Sequence, residues 1–376
     1  MNRVPGHAGV ERVEFIQALR GIAALAVVMF HGRDFIAGAA FLDAGERLFK
    51  NGAAGCDLFF VVSGFIMVHT TWDSPGGPRI AARFFARRVA RIWPVYVIAT
   101  FAYLAAHGTL VAWLTTPTSI LRLAKAFVFY PSHRQAPPFF GWTPNSVGWT
   151  LNYEVWFYLL FAISLLAGRR RLVVLASLFA LFLVVVPFAI TGHVDASAYH
   201  DYAMSPVILD LGACSMAWEF LAGAAIGAIY RSEVRLGNRE LLGTFAILSV
   251  TAVVWQQLSD QWSCHGMTGW GPAMIVMVLA LALWNKERPI TAPRSLVWLG
   301  DISFSLYLVH RIPQNALPRL VPETHHTLAN GVGALVATTV IALVLAHYSH
   351  RYLELGVAER FQRWLLRRIP PSPPVQ

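Results

Sequence analysis

The sequence predicts an all-α polytopic membrane protein with about ten transmembrane helices and both termini on the cytoplasmic side, and three observations carry that reading. Of 376 residues, 56% are hydrophobic and 13% charged, with a mean hydropathy of +0.52, outside the range of an ordinary soluble domain. The apolar residues gather into runs long enough, or nearly so, to cross a bilayer. The arginines gather between those runs, where membrane topology is decided.

In order, the apolar stretches lie at 14–36, 53–70, 89–107, 149–167, 171–190, 206–229, 241–258, 270–284, 295–312 and 329–348. With the N-terminus inside, 21 of the thirty Lys and Arg residues fall in inner segments and 8 in outer ones, which sets both termini inside. The first run has no small-residue cleavage site after it and reads as a retained helix, not a signal peptide. The longest non-spanning piece, Gly108 to Gly148, is rich in Pro and aromatics and reads as an ordered outer cap. VAERFQRWLLRR, Val357 to Arg368, is basic and amphipathic and is expected on the inner membrane surface before a disordered Pro-rich end. The net charge of +10 does not point to nucleic acid, because the surplus arginines sit in short topogenic clusters. Cys56, Cys214 and Cys264 lack CxxC spacing and read as small hydrophobes.

LRGIAALAVVMFH, Leu19 to His31, spends an arginine and a histidine on an otherwise apolar span. Arg20 and His31 are eleven positions apart, close to three turns, so both leave the helix on nearly one face about 16 Å apart along its axis. Snorkelling would account for either alone, but ionisable groups within a bilayer are expensive and tend to be functional. Others fall at matching depths. ARFFARRVARIWP, Ala82 to Pro94, sets Arg88 and Arg91 at i, i+3. The positive-inside bias explains Arg79, Arg83 and Arg87 fully, and Arg91 less well, because the apolar run has begun there. Toward the outside, Asp57 opens the second span, Glu154 lies near the start of the fourth, His310 closes the ninth, and Asp34 follows His31 by three residues. A carboxylate at a helix N-terminus can serve the helix dipole alone, but the two clusters together describe a path through the membrane. Arginine forks suit phosphate, and a histidine beside a carboxylate suits taking a proton from a hydroxyl. The substrate implied is long, with a phosphate-rich end inside and a reactive end near the outer leaflet.

At these residues the chain resembles the membrane acyltransferase-3 family. Four blocks carry the resemblance: ALRGIAALAVVMFH (Ala18 to His31), GAAGCDLFFVVSGFIM (Gly52 to Met67), RRVARIWPVY (Arg87 to Tyr96) and GDISFSLYLVH (Gly300 to His310). GWTLNYEVWFY (Gly148 to Tyr158) resembles the ExoZ-like branch, which modifies bacterial exopolysaccharides. The resemblance implies one transmembrane acyltransferase domain over 1–350 and a basic amphipathic tail over 351–376, in the bacterial inner membrane. It implies transfer of an acyl group, typically acetyl, from cytoplasmic acyl-CoA to a sugar hydroxyl of an exopolysaccharide, other surface glycan or lipid-linked oligosaccharide. The donor is a substrate, with no permanently bound cofactor, and membrane lipids and the polysaccharide machinery are the remaining partners. The family's arginine–histidine pattern falls on Arg20 and His31, and its Arg-x-x-Arg pattern on Arg88 and Arg91. Its aspartate falls on Asp57, with Cys56 standing where valine is expected, and its acidic position in the fourth span on Glu154. On this reading Arg20, Arg88 and Arg91 hold the CoA phosphates, and His31 is the general base with Asp57 or Glu154 fixing its tautomer. An acetyl-histidine is the competing route, and Ser63, Tyr153 and Tyr307 are candidates for the oxyanion donor.

Three other readings compete. A proton-coupled secondary transporter would also use intramembrane ionisable residues, but the sequence has no inverted repeat and its two clusters differ in sign. A non-catalytic subunit of a polysaccharide export complex would need none of these residues. A membrane acyltransferase class using His with Asn would not need the arginine in the first span. His325 with His326, and His347 with His350, have no companion carboxylate at ligand spacing, so no metal is expected.

Overall fold

Apolar runs in hydrocarbon must satisfy their own backbone groups, and a helix does so within one segment. The computed structural model describes residues 12–36, 43–133, 136–259, 261–320 and 328–370, and the regular structure among these is helical. In chain order the helices are α1 (Glu14–Gly32), α2 (Ala44–Phe49), α3 (Gly55–Thr71), α4 (Pro78–Ala106), α5 (Leu110–Thr115) and α6 (Pro117–Phe127). Next come α7 (Trp149–Leu165), α8 (Arg171–Ala180), α9 (Val186–Thr191), α10 (Ile208–Ala213), α11 (Ala217–Arg231) and α12 (Arg239–Leu258). The last are α13 (Gly271–Glu287), α14 (Arg294–Asp301), α15 (Ser303–Val309), α16 (Arg311–Leu320), α17 (Leu328–Ser349) and α18 (Glu359–Leu366).

Among the described residues six helical stretches are long and apolar enough to cross a membrane: Glu14–Ile36, Ala44–Thr71, Pro78–Ala106, Gly168–Thr191, Arg239–Leu258 and Asn330–Leu366. The protein is an all-α, multi-span membrane protein. The four other predicted spans are helical but shorter or interrupted. Helices α7 and α13 have 17 residues each. The 206–229 stretch breaks between α10 and α11, where Cys214 turns extended at ψ 132°. The 295–312 stretch is split into α14 and α15 at Ile302. The outward faces of α12 and α17 expose Ile247, Leu248, Val336 and Ile341, as a lipid-facing surface requires.

Small residues let the central helices touch backbone to backbone. A methyl group on Gly64 of α3 would sit 2.0 Å from Phe220 O, and one on Gly223 of α11 would sit 1.9 Å from Val61 O. Helix α1 meets α14 in the same way: a methyl on Gly21 would stand 2.8 Å from Gly300 N, and one on Gly300 2.1 Å from Gln17 O. This second crossing bears on chemistry, because it fixes Arg20, the neighbour of Gly21, close to the start of the GDISFSLYLVH block. Arg12 closes the same corner with an ion pair to Asp301.

The irregular stretch before α7 is tied to the bundle by hydrogen bonds. Tyr153 donates to Pro138 O at 2.8 Å and Asn145 Nδ2 to Leu308 O at 3.2 Å, while Phe139 stacks on Trp142 with centroids 4.0 Å apart. At the other end of the chain, α17 continues through a π-helical segment, His350–Ala358, into α18. Helix α18 packs against α4. The His325–His326 pair and the Pro-rich end beyond residue 370 lie outside the described residues.

Gly300→Val drives a branched side chain into the Gln17 carbonyl and is expected to cost more than the ~1–3 kcal/mol typical of overpacking. Gly243→Ala, whose added carbon would meet Trp284 at an ordinary 3.5 Å, is expected to be neutral or to stabilise by about 0.5–1 kcal/mol as a helix glycine replaced. Thermal midpoints in detergent read both; a tolerated valine at 300 would refute the tight crossing.

Candidate functional site

Charged side chains that enter a membrane-spanning bundle face water or one another. Here they face a cavity of about 720 Å³. Arg20 of α1, Arg88 and Arg91 of α4 and Glu154 of α7 all line it. So do Arg12, Arg83, Arg87 and Arg363, and Cys56, Phe60, Thr150 and Tyr307. The three arginines singled out from the sequence are thus brought together by helices that are far apart in the chain.

Each arginine is held by groups its own helix and neighbours supply. Arg20 Nη1 donates to Gln17 Oε1 at 3.2 Å, one turn back. Arg88 Nη2 donates to Thr70 Oγ1 at 3.3 Å, and its guanidinium lies over the rings of Phe84 and Tyr158 at 5.4 and 5.7 Å. Arg91 stands 3.9 Å from Glu354, a buried carboxylate that also accepts from Ser305 Oγ at 2.6 Å. Glu354 was missed in the sequence; its signal was a carboxylate at the end of the last apolar run, within an arginine-rich tail.

His31 and His310 form the second centre. His31 Nδ1 is 3.0 Å from Val27 O and 3.2 Å from His310 Nε2, and His310 Nδ1 is 3.1 Å from Leu306 O. These partners assign both tautomers. A carbonyl oxygen only accepts, so His310 carries its proton on Nδ1 and presents the Nε2 lone pair to His31. His31 therefore carries its proton on Nδ1 as well. Its Nε2 is left with a free lone pair, the atom that a general base or nucleophile needs. Around this pair, Arg311 donates to His31 O at 3.3 Å and Gln314 to Val28 O at 3.0 Å, which pins the end of α1 to α16.

Tyr307 stands between the two centres. Its hydroxyl donates to Val147 O at 2.9 Å and accepts from Thr150 Oγ1 at 2.9 Å, and its ring centroid is 6.2 Å from that of His310. His31 itself does not line the cavity described by the arginines. Of the other candidate oxyanion donors, Ser63 lines the cavity, whereas Tyr153 is committed to Pro138 O.

The two carboxylates expected to orient His31 have other partners. Asp57, fully buried in the first turn of α3, accepts from His265 Nδ1 at 2.7 Å and from Gly266 N at 2.8 Å. His265 is enclosed by Trp149 and Trp270, with centroids 5.6 and 5.0 Å away. Glu154 accepts from the Tyr158 hydroxyl one turn on and belongs with the arginines. Among the described residues neither carboxylate exchanges a hydrogen bond with His31; its partner is His310. Spacing put Asp57 and Glu154 together with His31, but it did not give the neighbours that each helix turns them toward, and Glu154 falls with the arginines instead.

Residues 13–347 match the family described as Acyltransferase domain, Acyl_transf_3. The chain is 30% identical over 333 residues to the exopolysaccharide production protein ExoZ of Rhizobium meliloti (strain 1021), covering 85% of this chain and 91% of that one. It is 27% identical over 316 residues to the acyltransferase MdmB of Streptomyces mycarofaciens, covering 80% and 79%. No solved structure matches it.

Removing the Asp57 carboxylate strands the buried His265 ring and the Gly266 N–H, so Asp57→Ala is expected to destabilise by about 1–3 kcal/mol. His265→Ala should cost a similar amount, and the double variant less than the sum, because the second change removes a contact already lost. Thermal midpoints of the four proteins make the cycle; additivity would break the Asp57–His265 link.

Proposed function

As the chain belongs to the membrane acyltransferase-3 family and is an acyltransferase, we propose that it moves an acyl group, acetyl foremost, from cytoplasmic acyl-CoA to a sugar hydroxyl of an exopolysaccharide or other surface glycan. The observation that carries this is the arginine-lined cavity that runs to Tyr307, with the His31–His310 pair beyond it. We keep ten spans with both termini cytoplasmic, so that the arginine end opens where acyl-CoA is found. The ExoZ relative, by its printed name an exopolysaccharide production protein, favours a bacterial inner-membrane enzyme and a glycan acceptor.

Arg20 and Arg88 grip the diphosphate of the donor in the cavity, and Arg91, balanced by Glu354, completes the cradle. The pantetheine arm extends along α1 toward Tyr307, a reach comparable with the roughly 16 Å rise from Arg20 to His31. His31 Nε2 then takes the proton of the acceptor hydroxyl as its oxygen attacks the thioester carbonyl. The C–S bond breaks, and the CoA thiolate leaves and is protonated from the imidazolium. His310 positions His31 by accepting from its Nδ1–H throughout. Glu154 positions Arg88 through Tyr158, and Asp57 acts at one remove by anchoring the His265 segment. Direct attack by His31 Nε2 on the thioester, giving an acetyl-histidine, uses the same free lone pair.

Membranes bearing the wild type and single variants, supplied with radiolabelled acetyl-CoA, are the test. His31→Ala should lose on the order of 10²–10⁴-fold in transfer to the polysaccharide fraction with donor binding retained. Arg20→Ala should raise KM for acetyl-CoA, and His310→Ala should lower kcat with little change in KM. Retained transfer by His31→Ala would refute the assignment, and proton-driven uptake of a solute without any acyl-CoA would favour the transporter.

A further inference from the structure

The basic C-terminal helix is not fully accounted for by the chemistry above. A basic amphipathic helix ordinarily lies on a membrane surface and reads lipid phosphates. Helix α18 instead packs on α4, with Phe361 stacked on Trp93 at 5.7 Å between centroids. Arg83 Nη1 donates to Ile369 O at 3.1 Å, so the segment just past α18 is held to the start of α4. Three of its side chains, Glu359, Gln362 and Arg363, line the same cavity as Arg20 and Arg88, whereas Arg367 and Arg368 do not. Arg368 is turned away onto Trp364 at 3.9 Å.

Arg83, Arg87 and Arg91 lie at i, i+4 and i+8 on α4, a stripe that climbs roughly 6 Å per step along one face. All three line the cavity. Its upper step is answered by Glu354. Among the described residues the lower two steps and Arg363 pair with no carboxylate within 4.0 Å. With Glu359 as the one carboxylate of α18 on the cavity, these three arginines still leave a net positive charge there. The cavity therefore offers two groups of cations, one at Arg20 and Arg88, the latter beside Thr70 and Tyr158, and one at Arg83, Arg87 and Arg363, where α4 meets the C-terminal helix. A coenzyme A thioester carries its phosphates in two places, the diphosphate and the ribose 3′-phosphate, separated by the ribose. We propose that α18 walls the mouth of the cavity and that Arg363, with Arg83 and Arg87, forms a second phosphate subsite that receives the 3′-phosphate of the acyl-CoA. The subsite rests on the donor reading above and adds to it a specificity for the phosphorylated nucleotide end.

Donor kinetics with acetyl-CoA and 3′-dephospho-acetyl-CoA test it in detergent-solubilised full-length enzyme. The wild type should prefer acetyl-CoA by roughly 10- to 100-fold in kcat/KM, the scale of lost charge-assisted hydrogen bonds. In Arg363→Gln the two donors should converge through a higher KM for acetyl-CoA with kcat kept, and Arg363→Lys should restore part of the preference. Arg87→Gln, which leaves the Phe361–Trp93 stack and the Arg83–Ile369 hydrogen bond in place, should shift the ratio in the same direction and serves if Arg363→Gln is poorly folded. A wild type indifferent to the 3′-phosphate overturns the subsite. So does an Arg363→Gln that weakens both donors alike, which would mark the helix as a lipid-headgroup contact or a wall only. Failure of the wild type to turn over either donor would instead strike the acyl-CoA reading itself.

Discussion

A guanidinium within a membrane-spanning bundle must have water, an anion or a polar neighbour beside it, and that requirement organises this molecule. Arg20 lies at the start of the apolar run of α1, and Arg88 and Arg91 lie where the arginine-rich start of α4 passes into its apolar run. They share one cavity, and the glycine-on-glycine crossing of α1 and α14 fixes the position of Gly21 beside Arg20. The cavity and its cations are thus one feature. Filling the space with larger apolar side chains would strand the arginines, and removing the arginines would leave a void in the centre of the bundle.

Beyond Tyr307 the constraint changes from charge to proton placement. His31 and His310 each direct Nδ1 at the carbonyl four residues earlier on their own chain segment, Val27 O and Leu306 O. That local bond fixes each ring in one tautomer before the two meet. When they meet, the donor of His31 faces the lone pair of His310 at 3.2 Å, and the pairing adds to the preference already set. A histidine can thereby do the work of orientation that a carboxylate does in other acid–base pairs, without placing a second formal charge in a low-dielectric interior.

The grouping of the arginines was legible in the sequence, and the neighbours of the carboxylates were not. A run of apolar residues fixes how far along a span a residue lies, which is why Arg20, Arg88 and Arg91 could be grouped and do line one cavity. Nothing in a single apolar helix says which neighbour each face meets, because lipid and protein are equally greasy. Asp57 and Glu154 were therefore expected beside His31, yet one faces His265 and the other the arginines. The same ambiguity concealed the role of α18, whose apolar face fits a membrane or α4 equally well by composition. The breaks at Cys214 and Ile302 carry no proline or run of polar residues to announce them, so those stretches read as continuous spans.

The imbalance of charge in the cavity has a consequence for the order of events. Arg12 and Arg91 are matched by Asp301 and Glu354, whereas Arg20, Arg83, Arg87, Arg88 and Arg363 pair with no carboxylate within 4.0 Å among the described residues and share the cavity with only two further carboxylates, Glu154 and Glu359. Two like charges about 6 Å apart repel by roughly 3 kcal/mol at an effective dielectric near 20, so the helices that present these cations are held together against a standing repulsion. A polyanionic donor reverses the sign of that interaction at several positions at once, and a ligand that binds only the folded bundle stabilises it by mass action. Donor binding would then draw α1, α4 and α18 toward one another before the acceptor arrives. On the mechanism we propose, the acyl group would reach His31 through a site that tightens around the nucleotide, and a donor lacking its phosphates would leave the same helices repelling one another.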